Sequence, residues 1–178
     1  MYIWIGIDVD EQVENIREKV REQEILRGIV KSNLTLPFHI SLKMSFPMEE
    51  ERAAAVMDAA EAYLRTFRPF DIPVAGIEYH TTIAWIRMRE NPVLDRIHDG
   101  LDAMLAERFG VGQHEYDKDY LFHTTLFMED DAGRVRQGYE AVKDEPLPAV
   151  LTADTFLIGA SETGALGSYR VIRRIRVS

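Results

Sequence analysis

The sequence predicts an α+β domain built from a repeated unit, and three observations carry that prediction. Strand-like and helix-like patterns alternate along the 178 residues. The pattern Phe-His-x-(Ser/Thr)-Leu occurs twice, as Phe38-His39-Ile40-Ser41-Leu42 and Phe122-His123-Thr124-Thr125-Leu126, with the histidines 84 positions apart (123 − 39). The two tryptophans, Trp4 and Trp85, recur at nearly the same interval, 81 positions (85 − 4).

The elements follow in order. Tyr2 to Val9 alternates isoleucines at period two, the mark of a strand with one face on a core. Val13, Ile16 and Val20, with charges between them, predict an amphipathic helix from Asp10 to Val30, with Asp10 as its N-cap. Pro37 opens a second strand, Phe38 to Phe46. Pro47 and the carboxylates Glu49, Glu50 and Glu51 suit a helix start and lead into an alanine-rich helix reaching about Phe67. Asp71–Tyr79 and Thr82–Met88 read as strands. Asn91-Pro92 begins a helix whose Leu94, Ile97, Leu101, Met104 and Leu105 share a face, and Gly110 and Gly112 end it. Tyr120–Met128 is a strand and Ala132–Val142 a short helix. Val150–Ile158 and Ser168–Val177 form a closing hairpin around Glu162-Thr163-Gly164. The order is β-α-β-α-β followed by β-α-β-α-β-β, a unit repeated with one strand added. A single domain over 1–178, made of two pseudo-symmetric halves at approximately 1–80 and 81–178, is expected to place two similar walls around one cleft.

Composition narrows the function. Thirty acidic against 21 basic residues leave a net charge of −9, the wrong sign for a long-footprint nucleic-acid binder. Only the last strand, with Arg170, Arg173, Arg174 and Arg176 among β-branched residues, offers a local basic wall. The alternative for it is an edge strand protected by charge. Cysteine is absent, which removes disulfides, thiolate metal sites and cysteine nucleophiles. No apolar run approaches the roughly 18 residues of a membrane span, and the start lacks the basic region of a signal peptide, so a cytoplasmic protein without membrane contact is expected. A monomer is the simplest state.

The chemistry lies in the repeated motif. At average residue usage it would begin at a given position by chance on the order of once in a hundred thousand, so two copies carry information that one would not. Residues i and i+2 of a strand project from one face about 6.6 Å apart, so each His looks into the same space as its Ser or Thr. Phe38 and Phe122 point the other way, into the core. Imidazole gives or takes a proton near neutrality, and two of them can serve as acid and base. The hydroxyls of Ser41 and Thr125 can donate to the non-bridging oxygens of a phosphate. Phosphodiester transfer is the natural reaction for such a set.

These paired segments, their separation and the duplicated order resemble the two-histidine (2H) phosphoesterase superfamily, which includes bacterial 2'-5' RNA ligases and RNA 2',3'-cyclic phosphodiesterases. The resemblance implies a bilobal α+β fold with antiparallel sheets lining a central cleft, no metal and no cofactor. It makes His39 and His123 acid and base, and Ser41 and Thr125 the ligands of the phosphate oxygens. Ser41 stands where threonine is more usual and keeps the hydroxyl. The expected activity is a metal-independent phosphoesterase acting on a small cyclic or 2'-5'-linked nucleotide or an RNA end. The alternatives are a nucleotide or RNA-end binding module with little turnover, and RNA-end ligation by the reverse reaction.

Further candidates surround the motif. Lys43 falls on the same strand face as His39 and Ser41 and can bring a positive charge to the phosphate. Trp4 and Trp85 lie on faces opposite their apolar neighbours and can stack a base across the cleft, with core packing as the alternative. Tyr120 can reach the site from the start of its strand, or pack in the core. His80, His98 and His114 have no partner motif. His98 is expected on the polar face of its helix, and no metal-ligand spacing such as H-E-x-x-H is present.

Overall fold

The computed structural model describes residues 1–28, 36–115 and 120–178. Eight strands and four helices occur among them: β1 Tyr2–Asp8, α1 Glu14–Arg27, β2 His39–Pro47, α2 Glu50–Leu64, β3 Phe70–His80, β4 Ile83–Met88, α3 Pro92–Phe109, β5 His123–Met128, α4 Ala132–Val142, β6 Val150–Ala153, β7 Thr155–Ser161 and β8 Arg170–Arg176. The strands form two four-stranded antiparallel sheets, ordered β2-β1-β7-β8 and β5-β4-β3-β6. This is the α+β fold expected of the sequence.

Local chemistry explains most boundaries. Ile3, Ile5 and Ile7 are fully buried along one face of β1, as their alternation requires. Asn91 caps α3, its side chain accepting from the Val93 and Leu94 amides, and Pro92 takes the first helical position. Leu94, Ile97, Leu101 and Leu105 are buried, and Gly110 closes the helix in the left-handed conformation at φ 70°. Asp131 caps α4 through the Gly133 and Arg134 amides. The expected Asp10 cap is not formed. Residues 10–13 make a 3₁₀ turn, while the Asp10 carboxylate accepts from the Phe38 amide at 2.9 Å and pairs with Arg17. The tail expected of α1 beyond Gly28 lies outside the described residues.

Long-range pairing departs from the sequence expectation in two places. The predicted strand Val150–Ile158 is two strands in different sheets: β6 pairs with β3, and β7 pairs with β1. Asp154 marks the crossover. The halves therefore interleave, since the first sheet takes β1 and β2 from the N-terminal part and β7 and β8 from the C-terminal end, while β3 belongs to the second. A division at residue 80 does not coincide with the sheets. One cluster of buried apolar side chains joins both, from Ile5 and Ile40 to Ile86 and Leu126. No helix among the described residues is long and apolar enough to cross a membrane.

Candidate active site

Each motif histidine begins an edge strand. β2 is the edge of the first sheet and β5 the edge of the second, and the sequence before each strand anchors it in the same way. Phe38 and Phe122 are buried, and the carbonyl of each accepts from the neighbouring strand's continuation, from Val9 N at 3.0 Å and from Met88 N at 2.9 Å. Past the hydroxyl both strands bulge at the same motif position. Ser41 pairs with Gly6 and Lys43 with Ile5, leaving Leu42 as an extra residue, and Thr125 pairs with Trp85 and Phe127 with Ala84, leaving Leu126. The final Leu of the motif is thus the bulged residue in both copies, re-aiming everything after it.

The bulge overturns the reading of Lys43. With the alternation slipped by one, Leu42 and Lys43 are both buried. The Lys43 ammonium lies 2.7 Å from the Asp102 carboxylate of α3. Its charge is committed to that pair rather than offered beside Ser41.

The imidazoles are held alike. His39 Nδ1 lies 2.9 Å from the Pro37 carbonyl and His123 Nδ1 2.6 Å from the Leu121 carbonyl. A carbonyl only accepts, so Nδ1 carries the hydrogen and Nε2 is the nitrogen left for chemistry. Burial is the main influence on both groups and pushes each below the ordinary imidazole value. The carbonyl bond opposes this in both. Asp8 further raises His39, whereas His39 and His80 further lower His123. The His39 charge thus reaches His123 electrostatically.

The tryptophans pack against the histidines. Trp4 packs on His39 with ring centres 4.4 Å apart, and Trp85 on His123 at 4.3 Å. Trp4 is 5% exposed and lies over Gly159, where an added Cβ would come within 2.1 Å of the indole nitrogen. Trp85 also packs against His80, at 4.5 Å between centres. Tyr120 precedes β5 rather than starting it. Its ring packs against His98 at 5.2 Å and Phe122 at 5.1 Å, and lies 6.2 Å from His123. These rings also explain why His98 is buried, contrary to the polar face expected for it.

Several residues around the histidines carry no sequence signal. Asp8 stands directly across from His39 in the β1–β2 register, and Arg87 directly across from His123 in the β4–β5 register. Asp8 pairs with Arg174 of β8. Arg87 Nε donates to Glu78 of β3 at 2.7 Å, and the same carboxylate takes the Trp85 indole hydrogen at 3.2 Å and lies 3.3 Å from His80. The C-terminal arginines do not form one wall: Arg173 turns to Asp58 and Glu61 of α2, while Arg174 turns to Asp8.

The chain has relatives among known proteins. A model described as the 2'-5' RNA ligase superfamily matches residues 7–164. No curated protein matches the chain. Among solved structures, TT0787 of Thermus thermophilus has a TM-score of 0.65 at 19% identity, with 99% of this chain and 97% of that one covered. LigT of E. coli in complex with 3'-AMP has a TM-score of 0.63 at 18% identity, with the same coverage. Usb1 of Kluyveromyces marxianus stands at 0.50 and 8%, covering 98% and 97%. At these identities the structural likeness speaks for the fold.

Proposed function

Because the chain belongs to the 2'-5' RNA ligase superfamily of two-histidine phosphoesterases, we propose that it hydrolyses a small cyclic or 2'-5'-linked nucleotide or RNA-end phosphodiester by metal-independent acid–base catalysis at His39 and His123. The observation that carries this reading is the matched pair of imidazoles. Each has Nδ1 tied to the carbonyl two residues before it and a hydroxyl two residues after it, on edge strands of two sheets. Such fixation leaves only Nε2 to exchange protons, as a positioned general acid or base must. In the reaction one Nε2 takes a proton from water as the water oxygen bonds to phosphorus. The ester P–O bond breaks, and the departing oxygen takes the proton of the other Nε2. Ser41 and Thr125 donate to the non-bridging oxygens, whose charge grows in the transition state. The small-ligand character is supported by the structural neighbour LigT, solved with 3'-AMP.

The test is a turnover screen of 2',3'-cyclic, 3',5'-cyclic and 2'-5'-linked substrates with and without a chelator, repeated with His39→Ala and His123→Ala. Turnover that survives the chelator and falls at least about 10²-fold in each variant is expected. Loss of turnover with the chelator defeats the metal-independent mechanism. Binding without turnover on any substrate makes the protein a nucleotide or RNA-end binding module.

A further inference from the structure

The two walls of the site are alike in shape and opposite in charge order. Across the first sheet from its edge the facing residues run His39, Asp8, Arg174, and across the second they run His123, Arg87, Glu78. The strand registers place these residues on the motif-bearing faces: Asp8 pairs with His39 and Arg87 with His123, while Leu157 pairs with both Gly6 and Arg174. The neighbour of His39 is therefore a carboxylate with the arginine behind it, and the neighbour of His123 is an arginine with the carboxylate behind it.

We propose, resting on the two-histidine reading above, that Asp8 is a positioning residue whose charge makes His39 the acid and His123 the base. Directly paired residues on one sheet face have Cβ atoms about 4.5–5.5 Å apart, close enough for a carboxylate to favour a cationic imidazole and for a guanidinium to disfavour one. Arg174 on β8 and Glu78 on β3 each weaken the nearer charge without cancelling it, because each stands farther from its histidine than that charge does, Arg174 by two strands and Glu78 by one. Two further sets of titratable groups lie near the pair. His80 reaches Glu78 and packs against Trp85, and lowers His123. Lys43, farther along β2, is paired with Asp102 of α3. Burial disfavours a proton on both rings, and among the described residues an acidic neighbour, Asp8, offsets it at His39 and none does so at His123. In turnover His123 Nε2 accepts the proton of the attacking water, and His39 Nε2 delivers its own to the leaving oxygen. Exchange with solvent then restores both.

The two ion pairs allow a test with opposite signs. The Cε1–H resonances of the histidines, assigned with His39→Ala and His123→Ala, are followed by NMR titration in the full chain without substrate. His39 is expected to titrate above His123. Asp8→Asn should lower the His39 midpoint by about half to one pH unit, and Arg174→Gln, which releases Asp8 from its partner, should raise it by a few tenths. His123 should hardly move in either. An inverted order, or the same direction of change in both variants, overturns the assignment. The titration involves no substrate, so an inverted order alongside persisting turnover removes this proposal alone. Failure of every substrate in the screen removes the catalytic reading instead.

Discussion

Trp4 lies against His39 at 4.4 Å between ring centres with the planes 32° apart, and the indole rests on the backbone of Gly159. The contact reads as a wall that holds the imidazole rather than a platform for a ligand. Trp4→Leu should therefore lower kcat about tenfold or more while KM changes little, because misplaced catalytic groups cost rate. A base-stacking role would instead raise KM. Gly159→Ala should reproduce the effect from the other side, since its Cβ cannot coexist with the indole nitrogen, and should cost roughly 1–3 kcal/mol in denaturant unfolding.

The lowered imidazoles set the pH profile. A coupled acid and base give a bell-shaped kcat/KM whose limbs are macroscopic values of the pair. Burial holds both groups of the free protein below about 6.5, so the kcat/KM optimum should fall on the acid side of neutrality. An anionic substrate favours the protonated ring, so the basic limb of kcat should lie at higher pH than that of kcat/KM. The double variant His39→Ala/His123→Ala should cost far less than the product of the single losses. Multiplicative losses would separate the two rings into independent roles.

Lys43 and Asp102 join β2 to α3 through a buried ion pair at 2.7 Å. Asp102→Asn removes a carboxylate from beside a buried ammonium and should destabilise the protein by up to about 3–5 kcal/mol. Replacing both partners, as in Lys43→Met/Asp102→Leu, should restore much of that loss. Urea unfolding of the single and double variants gives the comparison, and near-wild-type stability of Asp102→Asn would mean the pair contributes little.

Glu24 on α1 is 5% exposed, and among the described residues neither carboxylate oxygen has a hydrogen-bond partner. Burial pushes its carboxyl up to about 7 from 4.5, with Arg21 opposing weakly. The folded state then binds more protons than the unfolded state between these values, so this group's contribution is fully present below about 4.5 and is lost as pH rises through 7. Glu24→Gln should leave stability nearly unchanged at pH 5 and add on the order of 2 kcal/mol at pH 8, after allowance for solvent screening. Thermal melts of both proteins at the two pH values measure this, and a gain confined to low pH would contradict it.

What the sequence by itself determined was whatever short periods encode. The isoleucine alternation of β1, the Asn91-Pro92 start of α3 and the spacing of His39 with Ser41 and of His123 with Thr125 are local, because a strand repeats every two residues and a cap acts within one turn. Lys43 escaped the same rule, since a bulge is a matter of pairing between strands and leaves no mark on the strand that carries it. The tryptophans show the limit most clearly. Their interval of 81 suggested equivalence, yet the cross-strand partners of the histidines, Asp8 and Arg87, are 79 apart (87 − 8), so Trp85 occupies the place of Gly6 and Trp4 must reach His39 across that glycine. Only the tertiary structure decided that β6 and β7 part at Asp154 into different sheets, and that a carboxylate faces one histidine and a guanidinium the other. Those outcomes depend on which distant strands share hydrogen bonds, and hydrogen-bond partners far apart along the chain are selected by the packing of the whole core.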